Sequence, residues 1–120
     1  MGATVMIVDD AIFMRSILRG IMKDKGFTVV AEAGSGIEAM KNLRTHNPDI
    51  IILDIILPDA NGLDLLESIL KARPQVKVVV CSSLVQEQIV KKAMDYGAKG
   101  FIQKPFTPEK VIEVLQGLEA

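Results

Sequence analysis

Five short apolar runs alternate along this chain with five stretches in which apolar residues recur at helical spacing. Thr4 to Val8 opens the series as a buried strand. Met14, Ile17, Leu18, Ile21 and Met22 follow at i, i+3, i+4, i+7 and i+8, the stripe of a helix that Gly26 closes. Phe27 to Ala31 reads as the second strand. Ser35 and Glu38 then form a capping box, opening a helix that runs to about His46 and ends at Asn47-Pro48. Asp49 to Asp54 is the third strand, and Pro58 to Gly62 is a turn-rich loop. Leu66, Ile69 and Leu70 mark the third helix, with Pro74 just past it. Val76 to Cys81 is the Val-rich fourth strand. Ile89, Val90, Ala93 and Met94 mark a fourth helix, stopped by Gly97. Lys99 to Gln103 is the fifth strand. Thr107-Pro108 starts a last helix with the stripe Val111, Val114, Leu115 and Leu118. Strands alternating with helices predict right-handed βαβ units, hence an α/β fold with a parallel sheet covered on both faces.

Length and composition narrow the picture. A chain of 120 residues, 49% hydrophobic, suits one domain over residues 1–120 with one core and no staples. No apolar run is long enough to span a bilayer. The N-terminus enters a strand directly and has no basic region or cleavage site, so no secretory leader is expected. The lone cysteine, Cys81, sits in an apolar run and reads as core filling in a reducing compartment; a cytoplasmic location is expected. Net charge is −1, without blocks of like charge, and aromatics are only 4%; neither a nucleic-acid footprint nor a stacking platform is present.

In a parallel sheet the functional groups gather at the carboxyl ends of the strands. Here the first strand ends in Asp9-Asp10, the third in Asp54, the fourth in Ser82-Ser83 and the fifth in Lys104. Each has a plain structural explanation when taken alone: a helix cap, a core-edge carboxylate, a turn hydroxyl, a solvated lysine. Asp54 is the hardest to explain that way, because Ile50 to Leu53 before it and Ile55 to Leu57 after it are apolar, and a buried carboxylate needs a partner. Together the groups make a chemistry. Clustered carboxylates repel and call for a cation. An all-oxygen set suits Mg²⁺, with Mn²⁺ as a substitute, and no His–Cys set exists for zinc. Lys104 can hold a phosphoryl oxygen, Ser82 can donate to another, and Asp54 can be the nucleophile that forms an acyl phosphate.

Asp9-Asp10 after an apolar strand, Asp54 with Pro58 and Gly62 behind it, Ser82, and Lys104-Pro105-Phe106 resemble the response-regulator receiver domains over essentially the whole chain. The stretch DDAIFMR, Asp9 to Arg15, is similar to their single-domain chemotaxis subgroup. The resemblance implies a flavodoxin-like fold with strand order 2-1-3-4-5. It implies phosphorylation of Asp54 by a histidine kinase, and Mg²⁺ held by Asp10, Asp54 and the Ile56 carbonyl, with Asp9 acting through a water. The domain would catalyse only its own phosphorylation and dephosphorylation and would not otherwise be an enzyme. Lys104-Pro105 would be cis. Ser82, Phe101 and Lys104 would carry the switch, Phe101 turning inward and the output face being the fourth helix, fifth strand and fifth helix. Phe in place of Tyr at 101 leaves no hydroxyl for that contact; the plainer reading of Phe101 is a static, half-exposed strand aromatic. The implied partners are a chemotaxis-type kinase, a flagellar motor switch protein or other output protein, and a phosphatase. Ile56 and Leu84 would flank the path of the hydrolytic water.

Three rival readings are set against this one. A receiver detached from a larger transcriptional regulator would look the same, although the chain's ending after its last helix favours a stand-alone protein. A flavodoxin-like flavin carrier needs a Ser/Thr-rich phosphate loop after the first strand, where Asp9-Asp10 would repel phosphate. A haloacid-dehalogenase-type phosphatase needs Asp-x-Asp there, and the aspartates are adjacent.

Overall fold

The computed structural model describes residues 2–119. Their elements run β1 (Thr4–Val8), α1 (Ile12–Asp24), β2 (Thr28–Ala33), α2 (Gly36–Leu43), β3 (Ile50–Leu53), α3 (Gly62–Ala72), β4 (Lys77–Ser82), α4 (Glu87–Asp95), β5 (Gly100–Gln103) and α5 (Pro108–Glu119). All four strand pairings are parallel, in the order β2-β1-β3-β4-β5. This is the flavodoxin-like architecture the resemblance implied.

The period-2 geometry of a strand splits the apolar runs between two faces. Met6, Val8, Ile51, Leu53, Val78 and Val80 pack with Leu66 and Ile69 of α3, Ala39 and Leu43 of α2, and Ala93 of α4. Val5, Ile7, Ile50, Ile52, Val79, Cys81 and Ile102 pack with Leu18 and Met22 of α1 and Val111 and Leu115 of α5. Burial pushes the Cys81 thiol up to about 12, so it stays protonated and acts as a core residue. Among the described residues no helix is long and apolar enough to cross a membrane.

The element ends depart from the sequence reading where tertiary partners intervene. β2 extends past Ala31 because Glu32 and Ala33 pair with Ile7 and Val8, and Arg15 and Arg19 hold the Glu32 carboxylate. α2 stops at Leu43, short of His46; the Arg73 guanidinium, from just beyond α3, donates to the Leu43 carbonyl and so satisfies the helix end. Asp49 lies outside β3, its carboxylate accepting from the Thr4 N–H and hydroxyl. β4 gains Ser82, which pairs with Gln103, and β5 begins one residue later than expected. Ile17 and Met94 are exposed, so the helical stripes overstate the core there; Ala93 is the one residue of α4 that is buried. The helix stops hold: Gly26 and Gly97 take positive φ, where a side chain would be strained. Thr107 Oγ1 accepts from the Lys110 N–H at 3.1 Å.

The loop after β3 is closed on itself. Ile56 bridges Asn61, and the Gly62 N–H donates to the Ile55 carbonyl at 2.8 Å. Asp59 in this loop accepts from the Gly36 and Ile37 N–H groups at 2.8 and 3.0 Å; these bonds hold its carboxyl below the ordinary carboxylate range. It supplements Ser35, which accepts from the Glu38 N–H, while Glu38 reaches back to Gly34 and not to Ser35 itself. A β-carbon on Gly62 would lie 2.2 Å from the Ile55 Cα, backbone that cannot swing away. Gly62→Ala is therefore expected to destabilise the fold by about 2 kcal/mol or more, read as a lower urea midpoint at unchanged slope. An unchanged midpoint would mean the loop opens without strain.

Candidate functional site

The parallel order brings the carboxyl ends of β1, β3, β4 and β5 to one edge of the sheet, and the expected groups meet there. Asp9, directly after β1, is 2% exposed, and Asp54, directly after β3, is 7% exposed. The Lys104 ammonium, directly after β5, bridges them, 2.6 Å from Asp9 Oδ2 and 2.8 Å from Asp54 Oδ2. Asp9 Oδ1 accepts from the Ala11 N–H at 2.9 Å, and Asp54 Oδ1 from the Ile56 N–H at 3.1 Å. Asp9 thus steadies the entrance to α1, while the helix's N-cap residue is Ala11, with no side-chain cap. These contacts explain how an acid survives in the apolar run around Asp54: a charge that would cost several kcal/mol to bury alone has an ammonium and a backbone N–H.

Burial acts to lower the Lys104 pKa, but the hydrogen bonds to Asp54 and Asp9 outweigh it and hold the ammonium above its ordinary value. It is a fixed cation at physiological pH. Asp10, next to Asp9, is exposed, and oxygens of Asp9, Asp10 and Asp54 lie within 4.8 Å of one another. When ionised, three carboxylates against one ammonium leave two negative charges uncompensated. An all-oxygen donor set with one member open to solvent fits a small hard cation such as Mg²⁺.

Ser82 reaches the same edge, fully buried, and its backbone carbonyl accepts from the Lys104 N–H at 2.9 Å. Its hydroxyl accepts from the Leu84 N–H at 3.2 Å. Ser83 is exposed. Phe101 is half-buried and packs against the core cluster that includes Ala93 and Val80, not free on the surface. The Lys104-Pro105 peptide is cis. Ile56 is 54% exposed beside Asp54. Sequence reasoning misses Arg15 and Asp59. Arg15 stands out there only as the end of the DDAIFMR stretch, and its contact with the Asp9 backbone has no sequence signal, because backbone acceptors are the same at every residue.

Comparison with known proteins bears on the same residues. The response regulator receiver domain family matches residues 5–116. The chain is 44% identical over 115 residues to the chemotaxis protein CheY of Thermotoga maritima, covering 96% of each chain. It is 46% identical over 112 residues to the CheY of Listeria monocytogenes, covering 93% of this chain and 94% of that one. Among solved structures it is similar to the CheX–CheY–BeF₃–Mg²⁺ complex of Borrelia burgdorferi, with TM-score 0.95 and 34% identity, covering 98% of this chain and 90% of that one. An acidic pocket closed by a strand-end lysine, on a sheet ordered 2-1-3-4-5 and matched by that family over nearly its whole length, makes the chain a member of the response-regulator receiver domain family.

Proposed function

We propose that this protein is a chemotaxis response regulator, acting as a single receiver domain over residues 1–120, that takes a phosphoryl group onto Asp54 from a histidine kinase. The observation that carries this reading is the Lys104 ammonium bridging Asp9 and Asp54 at the carboxyl edge of the sheet. The 44% identity to the Thermotoga chemotaxis protein, over 96% of that protein, supports the chemotaxis reading. In the transfer, an Asp54 oxygen attacks phosphorus, the P–N bond to the kinase imidazole breaks, and the imidazole leaves with that electron pair. Lys104 then follows the phosphoryl oxygens, and the Ser82 hydroxyl turns from Leu84 to donate to one of them. Asp10, Asp54 and the Ile56 carbonyl would hold Mg²⁺ or Mn²⁺, whose charge would offset that of the phosphoryl oxygens. Asp9, already engaged by Lys104 and the Ala11 N–H, would act through a water. Turnover is confined to the domain's own aspartate. The chain works in the cytoplasm, with a phosphatase and a flagellar motor switch protein as further partners.

The fold suits a population switch. Only Ala93 of α4 is buried, so α4 is weakly anchored, and half-buried Phe101 of β5 packs against the same cluster. Phosphorylation would shift Ser82 and let Phe101 turn fully inward, changing the α4-β5-α5 face.

Acetyl phosphate with Mg²⁺ is expected to raise the intact mass by one phosphoryl group, and EDTA to prevent it. A mass unchanged under both conditions, with the protein folded, would sink the reading. Asp10→Ala should raise the Mg²⁺ concentration needed more than Asp9→Ala, about tenfold against a few-fold, because Asp10 is the open ligand. The reverse order would exchange the two roles. Lys104→Ala should still take up beryllofluoride but lose most of the amide shifts it causes in α4, β5 and α5, because the cation that couples the two states is gone. Wild-type-sized shifts in the variant would remove Lys104 from the switch.

A further inference from the structure

Behind the acidic pair lies a charged group that the phosphoryl chemistry does not touch. Arg15, in the first turns of α1, turns back toward β1 with its side chain only 17% exposed. Its Nη1 donates to the Asp9 carbonyl oxygen at 2.5 Å, and its Nε lies 3.3 Å from Glu32 Oε1 on β2. Arg19 holds the other Glu32 oxygen at 2.5 Å. A β-carbon at Gly34 would stand 3.2 Å from Arg15 Nη1, so the bare backbone there leaves room for the guanidinium. Residues of α1, of β2 and of the turn after β2 therefore combine to hold one carbonyl.

That carbonyl belongs to the peptide joining Asp9 to Asp10. Peptide units are planar, so fixing the oxygen fixes the plane and the direction in which Asp10 leaves it. Asp9 is held independently: its N–H donates to the Ala33 carbonyl at 2.9 Å, and its carboxylate meets Ala11 and Lys104. Asp10 is exposed, and among the described residues its side chain has no hydrogen-bond partner, so its direction depends on the peptides on either side: the following one is tied by the Ala11 N–H to Asp9, and the preceding one carries the carbonyl that Arg15 holds. We propose that Arg15 is a positioning residue for the cation site: oriented by Glu32, its guanidinium sets the Asp9–Asp10 peptide plane and thereby aims the Asp10 carboxylate. This rests on the reading of Asp10 as a Mg²⁺ ligand. The two contacts use two edges of one planar fork, which a lysine ammonium cannot reproduce.

The test is a MgCl₂ titration followed by amide NMR for wild type, Arg15→Met, Arg15→Lys, Glu32→Gln and the double variant Arg15→Met/Glu32→Gln, with a urea midpoint for each. Arg15→Met is expected to weaken Mg²⁺ binding about tenfold, the size of effect typical of groups that orient a ligand. Arg15→Lys should weaken it too, although the charge is kept. Glu32→Gln should weaken it in the wild-type background and add nothing after Arg15→Met, the signature of two residues acting as one. A merely structural Arg15 would lower the urea midpoint and leave Mg²⁺ affinity unchanged, and that result overturns the proposal. Tighter binding in Arg15→Met also overturns it, since loss of a nearby cation would then be the whole effect. If Arg15→Met fails to fold, Arg15→Lys and Glu32→Gln decide by the same criterion. If wild type binds no Mg²⁺, the cation reading falls on its own. The metal-free spectra then decide the positioning role: the Asp10 and Ala11 amides must move in the Arg15 variants while those of α5 stay, and unmoved amides overturn it.

Discussion

Asp54→Asn is expected to abolish the stable phosphoryl adduct while the protein stays folded. An amide oxygen is a poor nucleophile, and no other carboxylate at the edge follows the middle strand of the sheet. Asp10 is exposed beyond the end of β1, and Asp9, held by Lys104 and the Ala11 N–H much as Asp54 is by Lys104 and the Ile56 N–H, follows β1 and not the middle strand. The fold should tolerate the change for a local reason. The introduced amide can keep the acceptor that Asp54 Oδ1 offers to the Ile56 N–H. Its nitrogen cannot accept from Lys104 as Asp54 Oδ2 does, so the ammonium must settle on Asp9 alone. One charge-assisted bond is lost and one like-charge repulsion is relieved, and the two oppose each other. The net change in stability should be within about 1 kcal/mol. Intact-mass spectrometry after acetyl phosphate and Mg²⁺, beside urea unfolding, checks both halves. Equal mass gain in the variant would show that another residue accepts the phosphoryl group.

The phosphorylated protein is expected to lose its phosphoryl group slowly, beyond the seconds range, and to hydrolyse at least about tenfold faster once Ile56 is replaced by Asn. Ile56 and Leu84 stand two residues beyond Asp54 and Ser82, positions that the family resemblance sets beside the path of the attacking water. Many fast-hydrolysing chemotaxis regulators carry polar side chains there. Ile and Leu can neither hydrogen-bond a water nor orient it, and beside a phosphoryl group on Asp54 they would shield it from solvent. The rival explanation is that both side chains merely pack against neighbouring loops. For Ile56 the structure argues against it, since 54% of the residue is exposed beside the acidic site. Leu84 is partly buried, and its N–H is tied to Ser82, so its substitution carries a larger structural effect. Supplying a water-orienting contact is worth about 1.4 kcal/mol of barrier per tenfold. The decay of phosphorylated wild type, Ile56→Asn and Ile56→Asn/Leu84→Glu separates the two accounts. Wild-type decay within seconds, or no acceleration in either folded variant, refutes the shielding. Slow decay would in turn make a separate phosphatase necessary for rapid signal loss.

Most of the groups that meet at the sheet edge are legible in the order of the residues. The strand-end groups Asp9, Asp54, Ser82 and Lys104 stand out because a parallel sheet carries its carboxyl ends to one edge, whatever the loops do. The helix stops at Gly26 and Gly97 are legible because backbone sterics at positive φ are local. Sequence patterns mislead where a distant side chain decides an end. α2 closes early under Arg73, from 30 residues downstream, and β2 runs on because α1 supplies arginines for Glu32. Helical stripes also predict burial for Ile17 and Met94, but a stripe reports only a face, and the width of the sheet beneath determines how much of that face is covered.

By itself, then, the sequence determined the alternation of elements, most of the apolar residues that become buried and the identity of the groups at the sheet edge; that the sheet divides the expected single core into two clusters is seen only in the structure. These follow from period, propensity and chain order, which act within a few residues or through a general topological rule. Only the tertiary structure decided how those groups hold one another. Lys104 meets Asp9 and Asp54 because β1 and β3 end level, Val8 beside Leu53, while β5 runs two residues past that level before the lysine. Arg15 reaches the Asp9 carbonyl across the end of the sheet, past Gly34 just beyond β2. Asp59 caps α2 through amides that precede it by 23 and 22 residues. Such contacts depend on distances of a few ångströms between segments far apart in the chain, and no local pattern encodes a distance of that kind.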